Sequence, residues 1–380
     1  MAVANKIMIR FTLITLAVIL TGSCAAQNTE IPVYIGTYTK KEGHVDGKAK
    51  GIFLAMQDPE NGSLQPEKTV AEITNPSFVK ATEDGKNLYA VSELGSGDAD
   101  SGFIYSYKRN MDNSLQEIGK ISTESFAPCH IEIDESGKYV FVSNYMGGVV
   151  MVYKRGEDGL LEKQQKVQLE NREASHAHSV SISSDNKTAY ISDLGNDKIW
   201  IYNFNSETGK LSPKENPFVQ LEEGSGPRHF SFSKDENFAF SMNELNSTIS
   251  VFKIEENGNL EVIQNISSLP EDFSGKNSGA DIHLHPSGKF VYASNRGHNS
   301  IAGFKVDKNS GKLSAIGYYS TKGETPRNFA ISPDGKFLYA ANQDTSTMSS
   351  FKINLKTGKL EEHLLPIEVM SPVCVEFAEN

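Results

Sequence analysis

PRNFAISPDGKFLYAANQ, residues 326–343, is a β-rich run, a polar turn at Asp334-Gly335, and a second β-rich run with aromatic residues. An Asp-Gly pair between two such runs marks a tight hairpin, because glycine reaches the positive φ that the turn needs. The pattern recurs upstream as PSFVKATEDGKNLYAVSE from Pro76, PCHIEIDESGKYVFVSNY from Pro128 and AHSVSISSDNKTAYISDL from Ala177. It returns as PRHFSFSKDENFAFSMNEL from Pro227 and ADIHLHPSGKFVYASNR from Ala280. With the turn residue as anchor, the copies fall at Gly85, Gly137, Asn186, Glu236, Gly288 and Gly335. Consecutive anchors lie 52, 49, 50, 52 and 47 residues apart by subtraction.

Each copy is followed by a second hairpin, as in GGVVMVYKRGEDGLLEKQQKV from Gly147 and SIAGFKVDKNSGKLSAIGYY from Ser300. Four strands in a repeat of about fifty residues is the signature of a propeller blade. The ends complete the count. SPVCVEFAEN from Ser371 matches an innermost strand with nothing after it, and IPVYIGTY from Ile31 matches a second strand with nothing before it. Joined, they make a seventh blade and leave no sheet edge open. No stretch holds a 3.6-residue period beyond a turn or two, which excludes a helical fold. The expectation is an all-β, seven-bladed β-propeller with four antiparallel strands per blade, one domain over residues 25–380, closed by pairing the terminal strands.

Residues 1–24 read as a targeting segment. Lys6 and Arg10 precede an apolar run from Phe11 to Leu20, and Leu20-Thr21-Gly22-Ser23-Cys24 resembles a bacterial lipoprotein signal. The expected protein is exported: periplasmic, or anchored to a bacterial membrane only through a lipid on Cys24. The remaining cysteines, Cys129 and Cys374, fall in non-adjacent blades, so no disulfide is expected. Among 380 residues, 37 are basic and 48 acidic, for a formal net charge of −11. That balance speaks against nucleic acid, whose phosphates require a basic footprint.

A propeller brings the start of each innermost strand and the end of each second strand to one face, beside the channel. Aligning the repeats therefore lists the residues around that mouth. Seven positions past the anchor stand Ser92, Asn144, Asp193, Asn243, Asn295 and Asn342. One residue type in nearly every blade is architecture, since such side chains bond their own following turn. The next column varies: Glu93, Tyr145, Leu194, Glu244, Arg296 and Gln343, with Tyr38 from the N-terminal strand. Eight positions before the anchor stand Ser77, Cys129, His178, Arg228, Ala280 and Arg327, followed by Phe78, His130, Ser179, His229, Asp281 and Asn328. His178, Arg228, Glu244, Asp281, Arg296 and Arg327 are thus expected to face one small space, where so many charges demand partners or a ligand. Two His-x-His pairs, His176/His178 and His283/His285, hint at a metal. No carboxylate or cysteine set completes a shell and His285 belongs at the far end of its strand, so no metal and no cofactor is expected.

Three segments carry a resemblance: GSGPRHFSFSKDENFAFSMNELNSTISVF (224–252), GADIHLHPSGKFVYASNR (279–296) and TPRNFAISPDGKFLYAANQ (325–343). They resemble the bacterial propeller 6-phosphogluconolactonases, a lactonase family that includes the fungal carboxymuconate-lactonizing enzymes. The resemblance runs through nearly all of the mature chain and implies opening or forming a lactone without a metal. Carried over by motif, it implies His178, Arg228 and Glu244 as catalytic residues. Arg296, Arg327, Asp281 and His283 are implied to bind a small-molecule lactone or sugar acid, and His130, from the column beside Cys129, is expected to join them. In that reading His178, of near-neutral pKa, deprotonates water, Arg228 stabilises the oxyanion and Glu244 orients or protonates. Arg296 and Arg327 hold a carboxylate, phosphate or polyol. The export signal departs from the family, because sugar-phosphate lactones belong to the cytoplasm. Two other readings stay open: a noncatalytic exported propeller binding a sugar acid, glycan or protein, and a lactone-forming cycloisomerase.

Overall fold

The structure, a computed structural model, describes residues 30–42 and 45–378. The expected targeting segment, with Cys24, lies outside the described residues. Seven antiparallel sheets stand around a central channel, in the order the repeats predict. Blade 1 is built from both termini: Pro372–Phe377 is innermost, then Ile31–Thr37, Gly51–Gln57 and Leu64–Glu72. Blades 2 to 7 follow in chain order, with innermost strands Val79–Ala81, Phe126–Ile133, Ala177–Ile182, Pro227–Phe232, Ser278–Leu284 and Pro326–Ile331. A short extra hairpin, Lys41–Glu42 with Val45–Asp46, sits over the channel mouth. Its Val45 is buried with Tyr38 and Val373.

The sheets stand face to face, so the cores lie between blades. One cluster joins Phe141 and Val152 of blade 3 to Val180 and Trp200 of blade 4. Another joins Val33 and Val375 of blade 1 to Tyr339 and Met348 of blade 7, across the closure. A sheet covered on both faces needs apolar residues without alternation. The second strands obey: Asn87–Ser92, Thr188–Asp193 and Phe337–Asn342 are buried at every position. The rim strands are mostly exposed, as in Leu161–Gln168.

All six anchors have positive φ, from 52° at Glu236 to 73° at Gly335. Glu236, with a full side chain there, carries the strain that glycine avoids. Neighbouring blades are also tied by buried tyrosines of the second strands. Tyr89 Oη donates to Gly159 O at 2.9 Å, Tyr190 to Gly258 O at 2.8 Å, and Tyr292 to Gly358 O at 2.7 Å. Tyr339 Oη reaches across the closure to Gly62 O at 2.8 Å. Gly62 has φ 70°, and a Cβ there would stand 2.4 Å from the Phe337 ring.

The column of Asx residues does what its regularity predicts. Asn243 Nδ2 donates to Thr248 and Ser250, Asn342 Nδ2 to Thr347 and Ser349, and Asp193 accepts from Ser175, Asn196 and Trp200.

Tyr339→Phe should lower the unfolding free energy by about 1–3 kcal/mol, because it leaves buried Gly62 O without its donor. Urea denaturation measures this. Tyr105→Phe, at a half-buried hydroxyl with no hydrogen bond among the described residues, should stay within about 0.5 kcal/mol of wild type.

Candidate active site

The innermost strands of blades 3 to 7 do not enter the ring as regular strands. In blade 3 Pro128 pairs with Asn144 and His130 with Ser143, leaving Cys129 without an opposite residue. The same shift leaves out His178 in blade 4, Arg228 in blade 5 and Arg327 in blade 7. In blade 6 the irregular step covers Ala280 and Asp281. A β-bulge sets one extra residue against the partner strand and re-aims side chains, so two successive residues can both turn away from the sheet. That is why two adjacent columns of the repeat, rather than alternate ones, carry chemistry.

At this mouth lies a cavity of about 300 Å³, walled by Tyr38, Glu93, Cys129, Tyr145, His178, Glu244, Arg296 and Arg327. The site expected from the sequence divides here. His178, Glu244, Arg296 and Arg327 line the cavity together. Arg228 does not line it; only 2% exposed, it sits behind Glu244. Asp281, His283 and His130 do not line it either, which corrects the expectation that Asp281 shares the space. The bulge turns Asp281 inward, where protein donors use up its oxygens. His229 and His283 donate to it at 2.6 and 2.8 Å, and Asn328 Nδ2 at 2.5 Å. His130 packs against Phe78 and the His229 ring, with centroids 4.6 and 5.5 Å away.

Glu244 holds the cavity wall together. Its Oε2 lies 3.1 Å from Arg228 Nε and 2.9 Å from Arg296 Nη2. Burial alone would raise its pKa, but Arg296, Arg228 and Arg327 outweigh burial and hold it below the ordinary carboxylate value. Glu244 is therefore ionised at neutral pH. Arg296 is further tied to Gly279 O at 2.8 Å. Arg327 differs from both. Its guanidinium lies 5.5 Å from the centroid of the Tyr38 ring, with no ion pair among the described residues, while the Tyr38 hydroxyl donates to Glu93 at 3.0 Å.

His178 is buried beside Cys129, whose Sγ is 3.9 Å from its Nδ1, and packs edge-on to Tyr145 at 5.8 Å. Burial and the positive charge of Arg228 push its pKa well below the ordinary histidine value. The near-neutral pKa expected from sequence is thereby corrected: the ring is firmly neutral at pH 7. Cys129 is a thiol, since burial raises its pKa. Both Cys129 and Cys374 are free. His176 stacks on Tyr145 at 4.3 Å, and His285 is bonded to Ser287 and Gly335 at the far end of its strand. Among the described residues no group of three His, Cys, Asp or Glu comes together to hold a metal.

Sequence reasoning singled out neither Tyr38 nor Glu93 as site residues, although both stood in the variable column. Nor did it single out His229, in the column beside Arg228. Their signal was a change of residue type at a repeat position, as for the residues it did choose.

The channel's other end is a different environment. A cavity of about 560 Å³ there is lined by Lys80, Glu132 and Glu376 together with turn residues such as Asp84, Asp134 and Glu135. Lys80 pairs with Glu376 at 3.4 Å, and burial lifts Glu132 to about 7. The arginines converge on the first mouth, which makes it the candidate site.

Comparison with known proteins identifies the family. The profile of the family described as "Lactonase, 7-bladed beta-propeller" matches residues 32–377. A 6-phosphogluconolactonase of Formosa agariphila is 34% identical over 313 residues, covering 79% of this chain and 86% of the relative. One of Bacillus subtilis is 32% identical over 307 residues, covering 78% and 83%. Among solved structures, a periplasmic gluconolactonase of Pseudomonas aeruginosa superposes with a TM-score of 0.86 at 32% identity, covering 92% of this chain and 99% of that one. The chain belongs to the seven-bladed β-propeller lactonase family.

Proposed function

We propose that this lactonase opens an unphosphorylated sugar-acid lactone outside the cytoplasm, by general-base hydrolysis at the mouth of the channel that needs no metal. The observation that carries the reading is one cavity holding a neutral histidine, an ionised glutamate and an arginine with no ion pair among the described residues. Water attacks the ring carbonyl and its proton passes to His178, whose Nε2 has no partner among the described residues. Glu244 accepts a hydrogen bond from that water and orients it. Arg327 donates to the carbonyl oxygen as it becomes an oxyanion, a charge that exists only near the transition state. The tetrahedral intermediate then collapses. The ring C–O bond breaks, and the proton held by His178 goes to the leaving oxygen. The product is a hydroxy acid, which ionises and releases one proton to solution.

Charge counting supports an unphosphorylated substrate. Arg228 and Arg296 both form ion pairs with Glu244, whereas Arg327 forms none among the described residues and feels Glu93 and Glu244 only from farther off. A phosphate dianion would compete with the carbonyl oxygen for that one group. Residues 1–24 support a site of action outside the cytoplasm, as does the periplasmic location named for the Pseudomonas relative.

Titration of proton release by the mature chain is expected to show turnover of gluconolactone that survives a chelator. Its kcat/KM should be at least tenfold above that for 6-phosphogluconolactone. Failure to exceed buffer on any lactone would remove the hydrolase reading. His178→Ala should cost about 10²- to 10⁴-fold in kcat, and Arg327→Ala about 10²- to 10³-fold.

The pH profile checks the same assignments. His178 works as neutral imidazole and its pKa is depressed, so the active form persists below the pH where an ordinary histidine protonates. Glu244 is also depressed, so its carboxylate is lost only at lower pH still acidic to the ordinary glutamate value. Hence kcat/KM should be flat through neutral pH and should fall only well below pH ~6.5, the ordinary histidine value. An inflection at that value would contradict the depressed His178.

A further inference from the structure

Four side chains run in series from the interior of the ring to the cavity wall. His229 Nδ1 is 2.6 Å from Asp281 Oδ1, and its Nε2 is 3.2 Å from Arg228 Nη1. Arg228 Nε in turn forms an ion pair with Glu244 Oε2, without hydrogen-bond geometry. The direction of each hydrogen bond is fixed by chemistry. A guanidinium only donates, so His229 Nε2 accepts, and the ring proton must stand on Nδ1, pointing at Asp281. Asp281 is itself immobilised by the backbone N–H groups of Ile282 and Phe329 and by Asn328 and His283. Asn328 is anchored through its Oδ1 to Val375 N on the closing strand. Arg228 Nη1 also donates to Ala280 O at 2.7 Å, which sets the plane of the guanidinium.

We infer that Asp281 and His229 are a positioning pair for the active site: Asp281 fixes the His229 tautomer, His229 holds Arg228, and Arg228 aims the Glu244 carboxylate into the cavity. This rests on Glu244 serving the lactone-opening site proposed above. Asp281 and His229 never touch substrate. Protonating His229 at Nε2 would turn the acceptor for Arg228 into a donor and set two cations against each other. The groups facing His229 argue that this does not happen near neutrality. Arg228 and Asp281 lie on its two nitrogens, the His130 and His178 rings pack against it, and His283 stands beyond Asp281. Burial and Arg228 outweigh Asp281 and bring its pKa down to about 4. The neutral Nδ1–H form is thus built in over the working range.

The arrangement separates positioning from bulk packing, because a neutral amide carries an acceptor and a donor side by side as neutral imidazole does. His229→Gln can bridge Arg228 and Asp281; His229→Leu cannot. The test measures kcat and KM for gluconolactone in wild type, His229→Leu, His229→Gln and Asp281→Asn. In parallel, two-bond ¹H–¹⁵N spectra of the imidazoles are recorded, with His229 assigned by its absence in His229→Gln. The expected result is a kcat loss of about 10- to 100-fold in His229→Leu and Asp281→Asn, of the size typical for partners that orient active-site groups. KM should change less than about threefold, and His229→Gln should recover most of the rate. Wild-type His229 should be in the Nδ1–H form from neutral pH down to about pH 5. Full kcat in a folded His229→Leu, a loss confined to KM, or an Nε2–H tautomer in wild type would overturn the proposal. If wild type opens no lactone, the functional reading falls, and the tautomer spectrum still decides the positioning pair. If His229→Leu or Asp281→Asn does not fold, the wild-type spectrum and the rate of His229→Gln decide it.

Discussion

Cys129, His178, Arg228 and Arg327 have no partner on the neighbouring strand, because the innermost strands of their blades, 3, 4, 5 and 7, are bulged where they meet the mouth. A regular strand would send alternate residues into the interblade cores, which are fully apolar and offer a guanidinium or imidazole nothing to bond. In blades 3, 4, 5 and 7 the bulge removes one residue from that alternation and turns it toward the axis. The place of Cys129, His178, Arg228 and Arg327 depends on this, while Glu244 and Arg296 come from the ends of second strands. The ring supplies the convergence, and the interblade cores and tyrosine ties hold it rigid enough for distances between blades to be meaningful.

Charges gathered in this way must be balanced, and the balance shapes the chemistry. Glu244 comes from the end of a second strand in blade 5, Arg228 from the bulge of the same blade, and Arg296 from blade 6. One carboxylate shared by two arginines stays ionised despite burial, which suits a group that must accept a hydrogen bond. Glu93 is engaged by Tyr38 rather than by arginine. Arg327, from blade 7, leans on the same Tyr38 ring, which reaches it only because the terminal strands close the circle. Ring closure is therefore a condition for the site as well as for stability, and Asn328, bonded to both Val375 and Asp281, ties the two together.

The fold was legible in the sequence because its unit repeats. Ser371–Asn380 and Ile31–Tyr38 each lacked a mate, and only closure gave them one. The mouth residues were legible for a related reason: aligning repeats converts sequence position into height along the channel, so Glu244, Arg296, His178 and Arg327 could be placed on one face. Depth behind the surface could not be read the same way. Whether an arginine reaches the cavity or stops behind a glutamate depends on which partner it meets first, and that partner sits about fifty residues away. Arg228 and Asp281 stand behind the cavity wall rather than in it for this reason. His178 was placed correctly, but its pKa depends on burial and on the guanidinium of Arg228, which no column displays.

The two ends of the channel also differ in what they can hold. At the far end Glu83, Asp84, Asp134, Glu135 and Glu376 outnumber Lys80 and Arg155, even before Glu132, which burial lifts to about 7, is counted. At the mouth Arg296 and Arg327, with Arg228 behind Glu244, stand against Glu93, Asp98 and Glu244, so basic and acidic side chains are equal in number. In the proposed reaction a neutral lactone gains one negative charge, which the acidic far end repels. On that proposal the acidic end works against escape through the channel, and a carboxylate formed beside Arg327 leaves by the opening through which its lactone came. A site working in the proposed way binds the neutral reactant by shape and hydrogen bonds and keeps Arg327, which has no ion pair among the described residues, for charge that appears during the reaction. The pairing of Arg228 and Arg296 with Glu244 has that effect: it lowers the standing affinity for anions while leaving Arg327 available to the transition state.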